Sequence, residues 1–133
     1  MADPDKLNER TVLVVDDDPD ILKFVSAALA KRNIAHVLAE NGREALEALD
    51  DSVDLILLDI MMPEIDGLEV LKKLAQKPAA QRPGVIAMSG GGPHLSGWHA
   101  GGLAEALGAN EVLFKPFSLQ ELFDLVDRYL VRK

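Results

Sequence analysis

The stretch Val53-Asp54-Leu55-Ile56-Leu57-Leu58-Asp59 constrains the fold more than any other in this 133-residue chain. From Leu55 to Leu58 the apolar residues are continuous rather than alternating, the pattern of a strand buried on both faces of a parallel sheet. The run stops on a carboxylate, and Pro63 and the Asp66-Gly67 pair then turn the chain. Ligands of open parallel sheets bind outside the carboxyl ends of the strands. Asp59 therefore stands where such a fold does its chemistry, although a lone aspartate there would more often be a turn residue.

The rest of the chain supplies the companions. Thr11 to Val15 is β-branched and apolar and runs into Asp16-Asp17-Asp18-Pro19, where Asp18 suits a helix N-cap and Pro19 a first helical position. Ile21, Leu22, Val25, Ala28 and Leu29 recur at helical spacing up to Lys31. A short strand over His36 to Ala39 precedes an Asn41–Glu44 capping box, after which Ala45, Leu46, Ala48 and Leu49 form a buried side. Leu68, Val70, Leu71 and Leu74 mark a third helix ending before Pro78, and a loop spans Lys77 to Gly84. Val85 to Met88 is a fourth buried strand that stops at Ser89. A glycine-rich stretch from Gly90 to Gly102 and a short helix over Leu103 to Leu107 lead to Gly108, a C-cap residue. Glu111 to Phe114 is the fifth strand, followed by Lys115-Pro116. The last helix opens on a Ser118–Glu121 capping box and buries Leu119, Leu122, Phe123, Val126 and Leu130.

Five strands alternating with five helical segments predict an α/β, doubly wound, flavodoxin-like parallel sheet with helices on both faces. The order 2-1-3-4-5 sets strands one and three side by side at the switch point, so Asp16, Asp17 and Asp59 share one cleft. Ser89 and Lys115 end the fourth and fifth strands at the same edge. Three clustered carboxylates repel by roughly 1 to 4 kcal/mol per pair, depending on the local dielectric, so the cluster calls for a cation. An all-oxygen donor set selects a hard divalent ion such as Mg²⁺. A metal, an ammonium and a hydroxyl beside a carboxylate are the parts needed to neutralise a phosphoryl group in transfer.

Composition narrows the remaining classes. The formal net charge of -8 disfavours direct binding to nucleic acid or to anionic membranes. The absence of cysteine excludes disulfides and thiolate metal sites. His36, His94 and His99 have no zinc spacing, and Asp18 reads as a cap rather than a ligand. No stretch has the length of a membrane span, and residues 1–10 lack a signal-peptide centre. The expected organisation is a disordered segment over 1–10 and one domain over 11–133, in the cytoplasm.

The motifs LVVDDDPD (Leu13 to Asp20), LILLDIMMPEIDGLEVLKKL (Leu55 to Leu74), VIAMSG (Val85 to Gly90) and GANEVLFKPFSLQEL (Gly108 to Leu122) occur in order. Together they resemble the response-regulator receiver domain of two-component signalling, from Thr11 to the end. The resemblance implies that Asp59 is the phosphoacceptor, Ser89 the phosphoryl-binding hydroxyl and Lys115 the family's lysine, joined to Pro116 by a cis bond. It implies Mg²⁺ held by Asp17, Asp59 and the backbone carbonyl of Met61, with Asp16 acting through water. It also implies a histidine kinase or histidine phosphotransfer protein as phosphodonor, a downstream regulator as a further partner, and no turnover chemistry beyond the domain's own Mg²⁺-dependent phosphorylation and dephosphorylation. With only Val131-Arg132-Lys133 after the last helix, the chain reads as a stand-alone or excised receiver.

Two departures stand out. Val112 occupies a fifth-strand position where many receivers carry Tyr or Phe, and the glycine-rich loop after Ser89, which contains Trp98, is longer than is usual in the family. The competing reading is a haloacid-dehalogenase-type phosphatase with Asp16 as nucleophile in an Asp16-Asp17-Asp18 motif. No acidic pair follows Lys115 to complete its metal site, and no cap insertion is present. A receiver-like module that binds partners without phosphorylation is a third reading, weakened because every key residue is in place.

Overall fold

The computed structural model describes residues 11–62, 67–90 and 108–130. Five parallel strands, β1 (Thr11–Val15), β2 (Ala35–Ala39), β3 (Val53–Asp59), β4 (Gly84–Ser89) and β5 (Glu111–Phe114), form one sheet in the order β2-β1-β3-β4-β5. Four helices are described: α1 (Pro19–Lys31), α2 (Gly42–Ala48), α3 (Gly67–Ala75) and α4 (Leu119–Leu130), with a 3-10 turn at Ala79–Gln81. The expected sheet order and strand positions are observed. The segment expected to form a helix over 103–107 lies outside the described residues, as do most of the glycine-rich stretch, Trp98, His94 and His99, and residues 1–10.

Alternation along the central strands builds two cores from one sheet. Leu13, Val15, Ile56, Leu58, Val85 and Ala87 point to the face covered by α2 and α3, where Ala45, Val70, Leu71 and Leu74 are buried. Val12, Val14, Leu55, Leu57, Ile86 and Met88 point to the opposite face, against Leu22, Val25 and Leu29 of α1 and Leu122, Val126 and Leu130 of α4. From Leu55 to Leu58 both faces of β3 are covered and leave no position for a polar side chain, whereas Asp54 near its open start is only half-buried and accepts from Thr11 N–H.

The helix starts follow their caps. Asp18 accepts from the Asp20 N–H at 2.9 Å, and Pro19 lies in the first turn of α1. The Asn41 and Glu44 side chains bond reciprocally to the backbone N–H groups of Glu44 and Glu40, and Ser118 and Glu121 do the same ahead of α4. Leu119 departs from expectation. It is 46% exposed, because as the first residue of α4 it precedes the turn that faces the sheet, and the buried stripe starts at Leu122.

Gly67 opens α3 directly behind β3. A Cβ there would collide with the Asp59 carbonyl oxygen and the Cα of Ile60. Both are backbone atoms, which cannot rotate away. Gly67→Ala is therefore expected to destabilise the fold by about 2 kcal/mol or more, read as a lower urea midpoint; an unchanged midpoint would show that α3 can back away from β3 at no cost.

Candidate functional site

The sheet delivers four polar side chains to its carboxyl edge because each strand hands its last bond to a neighbour. Asp16 N–H donates to Ala39 O of β2 at 3.1 Å, Ile60 N–H to Met88 O of β4 at 3.2 Å, and Lys115 N–H to Ser89 O at 2.8 Å. The register pairs Asp59 with Met88 and Ser89 with Phe114, so Ser89 lies one step past Asp59, and Lys115 one step past Ser89.

Two carboxylates at this edge are out of water: Asp16 is fully buried and Asp59 is 3% exposed. They are held alike. Asp16 Oδ1 accepts from Asp18 N–H at 2.9 Å, and Asp59 Oδ1 accepts from Met61 N–H at 3.0 Å. The second oxygen of each faces Lys115, whose Nζ lies 2.7 Å from Asp16 Oδ2 and 3.4 Å from Asp59 Oδ2. This buried Asp16 oxygen is thus held by the ion pair to Lys115. Ser89 is fully buried, and its hydroxyl donates to Gly90 O at 3.3 Å. Asp17 is exposed, and its carboxylate completes a set with Asp16 and Asp59 whose oxygens lie within 4.8 Å of one another.

Burial pushes the Asp59 carboxyl up from its ordinary value of 3.8 to about 7, reinforced by the Asp16 charge and opposed by the Met61 N–H and the Lys115 ammonium. Burial acts on Lys115 in the opposite sense, lowering its pKa. Its contact with Asp16 and the two negative charges outweigh that effect and hold the ammonium above its ordinary value. One lysine, in contact with Asp16 and Asp59, thus stands beside a cluster of three carboxylates. The surplus negative charge and the all-oxygen donor set fit a hard divalent cation.

Every residue that sequence assigned to this site lies at this edge. Met61, whose carbonyl was expected to ligate a metal, enters by a route that sequence had not shown, as the N–H donor that orients Asp59. Gly67, read only as part of a turn, presses its backbone against that of Asp59. A glycine at the first position of a helix, where it is a weak former, is the sequence signal for such an approach.

The family model described as "Response regulator receiver domain" matches residues 12–127. The chain belongs to this family. The receiver is 39% identical over 111 residues to the transcriptional regulatory protein CpxR of Escherichia coli (strain K12), covering 84% of this chain and 45% of that protein. It is 36% identical over 119 residues to ResD of Bacillus subtilis (strain 168), covering 89% and 47%. It thus spans less than half the length of these curated relatives. Among solved structures, the receiver domain of NtrX from Brucella abortus matches with a TM-score of 0.79 at 28% identity, over 92% of this receiver and 99% of that chain. The flavodoxin-like fold is that of the family, and the matches give no support to the haloacid-dehalogenase-type alternative. Receiver domains bind Mg²⁺ at an acidic pocket, and this receiver has the acidic cluster for it. Among the described residues, no helix is long and apolar enough to cross a membrane.

The raised Asp59 pKa sets a sign for stability. A carboxyl whose folded pKa exceeds its unfolded one contributes stability that is complete below about pH 4 and is lost as pH rises through about 7. Without divalent ions, the receiver is expected to lose stability across that window. Asp59→Asn should remove this part of the slope and raise stability at pH 8 by on the order of 3 kcal/mol, measured by denaturant titration with a chelator present. An equal slope in both proteins would place the ionisation penalty elsewhere.

Proposed function

We propose that this receiver takes a phosphoryl group on Asp59 from a partner phosphohistidine and signals through altered docking to other proteins. The observation that carries this reading is the pair of buried carboxylates bridged by Lys115 beside the exposed Asp17. An Asp59 oxygen attacks phosphorus, the P–N bond to the donor imidazole breaks, and an acyl phosphate forms. The Met61 N–H fixes the carboxylate plane through Oδ1, leaving Oδ2 on the side of Lys115. A divalent cation held by Asp16, Asp17, Asp59 and the Met61 carbonyl would offset the negative charge on the transferring oxygens.

Once the phosphoryl group is in place, Lys115 has a new acceptor. Its ammonium, a point charge on a flexible stem, can leave the carboxylates and pair with a phosphoryl oxygen. Ser89 supplies a hydroxyl donor from the next strand. Val112 is half-buried against the α2/α3 core, so no aromatic ring turns at that position. The response is assigned to Ser89 and the chain that follows it. The partners are a histidine kinase or histidine phosphotransfer protein and a downstream regulator, with the receiver acting in the cytoplasm and touching neither DNA nor membrane itself. On this reading the receiver is not a turnover enzyme.

Mass mapping after treatment with a small phosphodonor and Mg²⁺ is expected to find a base-labile phosphoryl group on Asp59 alone, and Asp59→Asn to abolish it. A label on Asp16 would overturn the assignment. Lys115→Ala is expected to retain labelling while losing phosphorylation-dependent docking; slow labelling followed by normal docking would refute that division. In calorimetric titration, Asp17→Asn should weaken Mg²⁺ binding more than Asp16→Asn, and equal losses would remove the distinction between a direct and a water-mediated ligand.

A further inference from the structure

Among the described residues, strand β2 is an edge of the sheet that pairs only with β1, and apart from its short length it lacks the sequence protections of an edge. Its sequence, Ala35-His36-Val37-Leu38-Ala39, has no charge, no proline and no bulge, and Val37 and Leu38 are each 43% exposed. The Ala39 carbonyl accepts from Asp16 N–H, so the backbone groups of Ala35, Val37 and Ala39 face β1. By alternation those of His36 and Leu38 face outward.

The open stretch is short and closed at both ends. Ile34 N–H donates to Leu29 O, and Glu40 N–H donates to Glu44 Oε1. Between them, the N–H and C=O groups of His36 and Leu38 form a ladder with no partner among the described residues. The His36 ring is tied down at both nitrogens, 2.8 Å from Ser26 Oγ and 2.9 Å from Ile34 O, so it does not cover its own backbone.

This edge is complementary to itself, and we propose that it pairs with a second copy of the chain. A twofold axis through Val37 sets two β2 strands antiparallel, with Val37 opposite Val37, His36 opposite Leu38, and Ala35 opposite Ala39. His36 and Leu38 then become hydrogen-bonded pairs that exchange both N–H···O bonds, which is the parity their outward groups require. Val37 becomes the closer, non-hydrogen-bonded pair on the axis, with Cα atoms about 4.5 Å apart. No charged side chain of either strand meets its own kind. A five-residue strand is only about 17 Å long, and the contact falls below the roughly 1,200 Å² of a standard interface. The dimer is therefore weak and reversible, and the net charge of -8 on each copy makes it stronger at high salt.

A charge swap on the axis tests the pairing. Sedimentation of the 133-residue chain at rising concentration is expected to show a monomer–dimer equilibrium that added NaCl strengthens. Val37→Lys and Val37→Glu should each weaken it by about tenfold or more, because residue 37 meets itself. An equimolar mixture of the two variants should restore it. Leu38→Pro should also weaken it while leaving the β1 ladder intact, since only an outward donor is lost. A chain that stays monomeric throughout, variants that dimerise like the parent, or a mixture that fails to recover would each overturn the proposal. So would protection of the His36 and Leu38 amides against exchange only when a different protein is added, which would assign the edge to a foreign strand.

Discussion

A single ammonium group bridges two carboxylates that the fold has taken out of water. Lys115 Nζ reaches both Asp16 and Asp59, yet burial, reinforced by the Asp16 charge, outweighs the Lys115 ammonium and pushes the Asp59 carboxyl up to about 7. The rest of the structure can be read as the support for that imbalance. Two aliphatic cores immobilise the strands, and the strands hold like charges closer together than the side chains would choose. Electrostatic stress concentrated in this way makes a site responsive, because any added cation or phosphoryl group changes the largest local interaction present.

The bridge depends on topology. Asp16 comes from β1, Asp59 from β3 and Lys115 from the end of β5, and β4 lies between the last two. Lys115 must therefore span the end of β4 to reach the carboxylates. It does so over Ser89, whose carbonyl holds the Lys115 N–H. A long flexible side chain is suited to this, since it can exchange one oxygen for another without moving the strand that carries it.

Much of this was legible from residue order. The uninterrupted apolar runs of β3 and β4 reveal strands covered on both faces, and the polar residue ending each run marks the functional edge. Paired capping residues, Asn41 with Glu44 and Ser118 with Glu121, set the helix starts because their bonds are local. What depends on tertiary geometry was not legible. The burial expected for Leu119 failed because helical spacing gives a face but not where along the helix the contact begins. The closer approach of Lys115 to Asp16 than to Asp59 is a matter of tenths of an ångström. The N–H donors of Asp18 and Met61 are backbone groups, which no residue type announces.

The bonds handed from strand to strand, Asp16 to Ala39, Ile60 to Met88 and Lys115 to Ser89, bear on how such a domain can diverge. Inserting one residue into any central strand would turn its terminal side chain to the opposite face and break the bond to its neighbour. Drift by insertion or deletion is thus closed to the strands and open only to the connections between them. Lineages descending from this architecture are free to vary loop length, but they must alter the edge by exchanging one side chain for another at fixed backbone positions.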